Sequence, residues 1–143
     1  MSFVARGVQV TFDAVDPHTL ARWWAALLGY RVEDGHDFIA GLLADGVIVE
    51  ADVVRFDGRL FFADAVGASD PEGHGPRLLF QRVPEAKIAK NRVHLDIPVD
   101  AGQIDDEVAR LREAGAALIG FNSHPGHRWA VMADPEDNEF CLH

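Results

Sequence analysis

From Val8 onward the chain alternates. Val8, Val10, Phe12 and Ala14 fall on one side and Gln9, Thr11 and Asp13 on the other, the two-residue period of a strand with one apolar face. Asp16 then precedes Pro17, and Leu20, Trp23, Trp24, Leu27 and Leu28 follow at helical spacing up to Gly29. An N-cap, a proline in the first turn and a glycine stop predict an amphipathic helix. The same order returns between Arg92 and Asp100, where Val93, Leu95 and Ile97 point one way and His94, Asp96 and Pro98 the other. Val93, Leu95 and Ile97 are expected to pack beneath a helix. That helix is predicted over Asp105 to Ala114, closed by Gly115. Strand-like runs come after each helix: 59–66 and 77–83 in the first half, 117–121, 128–133 and 139–142 in the second. The chain therefore reads as α+β, two βαβββ units spanning 1–84 and 91–143, a duplication of fold with little sequence identity.

The halves are unequal. Between Tyr30 and Arg59 the first carries extra residues in which Phe38, Ile39, Leu42 and Leu43 sit at helical spacing before Gly46. An inserted helix over 37–45 has two readings, a lid over a site or a packing helix on a sheet edge. The joint Pro84 to Asn91 holds Lys87 and Lys90 and reads as a solvated linker. Ser69 to Pro76 has the Gly and Pro content of a hairpin loop. His124 and His127 flank Pro125-Gly126 and read as a solvated turn, while Trp129 and Met132 fall on opposite faces of one strand.

Composition narrows the function classes. With 48% apolar residues over 143 positions the chain can bury a core without staples. Thirteen basic against 23 acidic residues leave a formal charge of −10, with no basic cluster beyond Lys87, Lys90 and Arg92. Duplex nucleic acid and anionic membranes, which are held by neutralising phosphates, are not expected partners; a small molecule is. Cys141 is the single cysteine, so the paired framework of small secreted domains is absent. No apolar run approaches the ~20 residues that span a bilayer and no signal-like leader precedes the first strand. A cytoplasmic location is the expectation.

The double βαβββ plan, Trp23-Trp24 running to Leu28-Gly29-Tyr30, the RVHLDI strand, the LREAG helix end and the closing ADPEDNEFCL together resemble the vicinal oxygen chelate superfamily, which includes glyoxalases, bleomycin-resistance proteins and extradiol dioxygenases. The resemblance covers nearly the whole chain apart from Asp34 to Arg59 and lies closest to the glyoxalase-like branch. It implies that each unit forms half of a cupped mixed sheet with ligand or metal on the concave side. His94 and Asp96 would face that cup from the second unit, and Gln9, Thr11 and Asp13 from the first. Two registers match the halves: counting back from Leu-Gly-Tyr pairs Gln9 with His94, and aligning TFD with HLD pairs Thr11 with it. Both keep the same face.

The resemblance further implies one divalent ion (Zn, Ni, Mn or Fe) held by side chains of the first and last strands of each half. The matching positions are Gln9, Gln81, His94 and Cys141, with Cys141 standing where the closing motif carries a carboxylate. A shift of two residues along the strand would substitute Glu139 and give Gln9, Gln81, His94 and Glu139 as the metal set. His94 reads either as ligand or base, or as a hydrogen-bonded strand histidine. Asp13 and Asp96 read either as acid/base groups beside it or as loop caps. Gln9, Thr11, Gln81, Trp129, Glu139 and Cys141 are the candidate pocket residues. Two functions follow from the resemblance: a lyase, isomerase or dioxygenase-like enzyme acting on a small oxygenated metabolite, or a metal-independent protein that sequesters a drug-like ligand. The family also implies a homodimer.

Overall fold

The structure, a computed structural model, describes residues 4 to 143. The chain divides into two compact units, the first ending at Pro84 and the second running from Glu85 to His143.

In the first unit β1 (Gln9–Ala14) leads to α1 (Pro17–Leu28), β2 (Arg31–Val32), α2 (His36–Ala44), β3 (Val53–Phe56), β4 (Arg59–Phe62), β5 (Ala65–Ser69) and β6 (Arg77–Arg82). Four of these strands make a sheet in the order β1-β6-β5-β2, with β1 and β6 parallel and the other pairs antiparallel. Helix α1 starts where the Asp16 carboxylate accepts the Thr19 N–H (3.1 Å) and the Thr19 hydroxyl (2.6 Å). It stops at Gly29, whose φ of 69° continues the chain in the left-handed conformation that glycine tolerates. Its buried side, Leu20, Ala21, Trp24 and Ala25, shares the core with Val66, Ala68, Leu78 and Phe80. Phe12 bridges the layers, 4.9 Å from Phe80 and 5.1 Å from Trp24 between ring centroids.

The predicted inserted helix is α2, and it comes with a hairpin that the sequence reading did not foresee. The run 59–66 is two strands: β4 turns back on β3 through Asp57 and Gly58, both at positive φ (49° and 74°), the signature of a tight hairpin turn. Helix and hairpin share a small core of Ile39, Val53 and Leu60. Two histidines fasten it. His36 Nδ1 accepts the Leu60 N–H at 2.9 Å, and buried His18 on α1 donates from Nε2 to the Phe62 carbonyl at 2.8 Å.

The second unit repeats the plan without the insertion: β7 (Leu95–Ile97), α3 (Ile104–Glu113), β8 (Ala117–His124), β9 (His127–Ala133) and β10 (Glu139–Leu142). Its sheet runs β7-β10-β9-β8, again with first and last strands parallel. Ile104, Val108 and Leu111 of α3 are buried with Ala130, Met132, Phe140 and Leu142. Strand β7 is three residues long because β10 offers it only Phe140, Cys141 and Leu142 as partners. Val93 therefore lies outside the ladder, 81% exposed rather than packed under a helix. His124 and His127 are also not loop residues: both belong to strands and face each other across a two-residue turn, Pro125-Gly126. Among the described residues no helix is long and apolar enough to cross a membrane.

Candidate functional site

Because the first and last strands of each unit lie side by side, their outward residues form one polar surface, and residues two apart share it. In the second unit Asp96 sits opposite Cys141. His94 Nδ1 is 3.1 Å from Asp96 Oδ1, and His143, two residues beyond Cys141, brings its Nε2 to 3.5 Å from the same oxygen. The backbone holds His143 in line, its N–H donating to the Ile97 carbonyl (2.9 Å) and its carbonyl accepting from Val99 N–H (2.6 Å). Among the described residues, His94, Asp96 and Cys141 form the one group of three potential ligands whose donor atoms all lie within 4.8 Å of one another. Burial pushes the Cys141 thiol up from its ordinary range, and the Asp96 charge and hydrogen bond push it further. The sulfur is thus a neutral thiol leaning on a carboxylate.

Aromatic rings continue this surface. His127 Nε2 lies 3.0 Å from His143 Nδ1, and Trp129 stacks on both, at 5.5 Å from His127 and 5.8 Å from His143. His124 is 5.2 Å from the same indole. From the sequence His127 reads only as part of a solvated turn, and His143 does not stand out. Parity was the available signal, since 139, 141 and 143 share a face, as do 127 and 129.

In the first unit the equivalent surface is closed on itself. Gln81 sits opposite Asp13 and donates Nε2–H to Asp13 Oδ1 at 2.9 Å. Gln9 Oε1 accepts from Arg77 Nη1 at 2.9 Å, Arg77 Nε donates to Glu33 at 2.7 and 2.8 Å, and the Ser69 hydroxyl adds a 3.0 Å bond to Glu33. Arg77 holds the Glu33 carboxyl below its ordinary range. This pair lies directly over Gly67, where a Cβ would come within 2.5 Å of both side chains. Thr11 shares the face and is exposed.

The two registers left open by the sequence now separate. Asp13 opposite Gln81 corresponds to Asp96 opposite Cys141, so His94 corresponds to Thr11, and Gln9 falls one pair too far along the strand. Glu139, the alternative carboxylate, is engaged elsewhere. Its Oε1 takes the Lys87 ammonium (3.2 Å) and its Oε2 the Asn91 N–H (3.0 Å). Burial opposes its charge, but these bonds prevail and hold the carboxyl below its usual range. The stretch around Lys87 is therefore pinned to β10 and is not a free linker. An imidazole, a carboxylate and a thiol suit a zinc-like ion once the thiol loses its proton. The set Gln9, Gln81, His94 and Glu139 fits an ion poorly, since the Gln9 carbonyl and both Glu139 oxygens already accept bonds.

Residues 9–143 match the family described as a glyoxalase-like domain. Among solved structures, the fosfomycin resistance protein FosX from Mesorhizobium loti is 14% identical with a TM-score of 0.63, over 99% of this chain and 92% of that one. A mutant FosX from Listeria monocytogenes, complexed with Mn(II) and 1S,2S-dihydroxypropylphosphonic acid, is 10% identical with a TM-score of 0.63, over 99% and 90%. A glyoxalase/dioxygenase from Nostoc punctiforme is 15% identical with a TM-score of 0.60, over 99% and 95%. At such identities the likeness is one of fold. No curated protein matches the chain.

Proposed function

Since the chain belongs to the glyoxalase-like domain family, within the vicinal oxygen chelate superfamily, we propose that it is an enzyme acting on a small oxygenated metabolite at the polar side of β7 and β10. One observation carries the reading: His94, just ahead of β7, converges within 4.8 Å on Asp96 of β7 and Cys141 of β10. Asp96 accepts the Nδ1–H of His94, which orients the ring and leaves Nε2 as the atom that takes a proton next to a substrate carbonyl. In the alternative arrangement His94 is a ligand and not the base: with Asp96 and Cys141 it would hold a divalent ion, whose contribution is to polarise a carbonyl or hydroxyl oxygen. The diol and Mn(II) of the Listeria FosX complex support an oxygen-rich ligand. The protein acts as a homodimer, which sedimentation would check.

The satisfied state of Gln9, Gln81 and Glu139 favours a second reading, a binding protein that needs no ion. Elemental analysis after exposure to Mn, Fe(II), Ni and Zn, with His94→Ala as control, separates the two. About one ion per chain fewer in the variant than in the parent, together with deuterium exchange into a carbonyl compound, supports the enzyme. No ion under any condition removes the metal-assisted reaction; ligands would then be sought as shifts of melting temperature in chelator.

A further inference from the structure

Beyond that reading, we propose a second metal site on the same unit, formed by His127 and His143 with His124 as third ligand, for a late first-row divalent ion such as Zn(II), Ni(II) or Cu(II). Three imidazoles surround one indole at the end of the β8–β9 hairpin. His127 and His143 already meet nitrogen to nitrogen at 3.0 Å, the separation spanned by two nitrogens that each sit about 2.0–2.1 Å from one ion at a right angle. A hydrogen bond between two ring nitrogens needs an N–H on one and a lone pair on the other. Asp96 faces the other nitrogen of His143 and favours the proton on Nε2, which leaves Nδ1 with its lone pair toward His127. A carboxylate behind a metal-ligating histidine fixes its tautomer and raises its basicity in just this way.

His124 is the direct cross-strand partner of His127. Paired strand residues place their Cβ atoms about 4.5–5.5 Å apart on one face, so rotation of the His124 side chain, which is exposed, brings a third nitrogen to the pair. The planes of the His127 and His143 rings lie within 13° of parallel, and an ion replaces the hydrogen bond between them when the rings turn slightly. The donor set is imidazole alone, which selects copper, nickel and zinc over manganese and magnesium. Trp129 stacks on both rings and so reports on occupancy.

The test uses the full chain carrying His94→Ala, which removes the set used by the proposed reaction. Calorimetric titration with Zn(II) should show about one saturable equivalent, weakened at least about tenfold by His127→Gln and by His143→Gln, with unchanged circular dichroism in each variant. Cu(II) should quench tryptophan emission, and Trp129→Phe should abolish most of the quenching while keeping the ion. No saturable ion in the His94→Ala protein, or an affinity indifferent to His127→Gln, overturns the site. An ion lost with His94→Ala alone would overturn it while leaving the proposed function standing, and an ion kept in that variant but absent from the His94 set would do the reverse.

Discussion

Both units set an aspartate of the first strand against a polar residue of the last, Asp13 against Gln81 and Asp96 against Cys141, yet the two surfaces end in different states. In the first unit the partners are an amide and a guanidinium, and every bond they make closes the surface: Gln81 to Asp13, Arg77 to Glu33 and Gln9. In the second they are imidazoles and a thiol, groups that exchange protons or bind metals, and several gather on one carboxylate. A repeated backbone fixes where side chains are presented. The residues placed there decide whether a surface is finished or open to a ligand.

The strongest way to break the comparison is to remove the buried anchor of each unit's last strand. Phe80 and Phe140 are fully buried on the last strands of the two sheets; Phe80→Ala and Phe140→Ala should each cost about 3–5 kcal/mol in denaturant unfolding. A silent variant would show that one sheet does not depend on its last strand. A smaller effect follows from Gly75, where a Cβ would collide with the Tyr30 hydroxyl. Gly75→Ala should cost about 1–3 kcal/mol through overpacking, read by the same unfolding curves. The second unit has no such glycine–tyrosine contact among the described residues.

Acid should then act on the first unit through His18. Burial holds this imidazole below its ordinary value of 6.5, against the Phe62 hydrogen bond, which works the other way. The unfolded chain takes up the proton first, so the contribution of neutral His18 is complete above about pH 6.5 and is lost as pH falls through that value. The drop in melting temperature between pH 7.5 and 5.5 should be smaller in His18→Gln than in the parent. In the second unit, Asp96→Asn removes the charge that raises the Cys141 thiol, and iodoacetamide labelling at pH 8 should accelerate by up to about tenfold. Gln81→Ala, the matching change in the first unit, removes only an exposed hydrogen bond and should cost about 0.5–1 kcal/mol with no change in metal content.

Much of this was legible along the chain because strand periodicity is local. The alternation of Gln9, Thr11, Asp13 and of His94 and Asp96 identified the polar faces, and the caps at Asp16 and Gly29 bounded the first helix. What failed was non-local. Glu139 looked like a ligand until the chain brought Lys87 and Asn91 to it from about 50 residues away. The choice between Gln9 and Thr11 as partner of His94 needed the pairing of strands far apart in sequence. The hairpin at Asp57-Gly58 was hidden by a run from Leu60 to Val66 that is apolar except for Asp64, although the dipeptide itself is a turn signal. His143 was passed over although it shares parity with Glu139 and Cys141.

The last strand of each unit takes an inner seat: β6 lies between β1 and β5, and β10 between β7 and β9. A chain made from its N-terminus therefore holds β1, then β7, as a lone ribbon until the strand that joins it to its sheet has been synthesised. In the first unit that wait spans 68 residues, the separation of Asp13 from Gln81, and ordering so long a loop is the slow part of assembly. A nascent product cut short before β10 would leave Leu95 and Met132 without their neighbour Phe140, and Ile97 and Ala130 without Leu142. Its apolar faces would be open to chaperones and proteases, so the sheet itself reports whether β10 has been made.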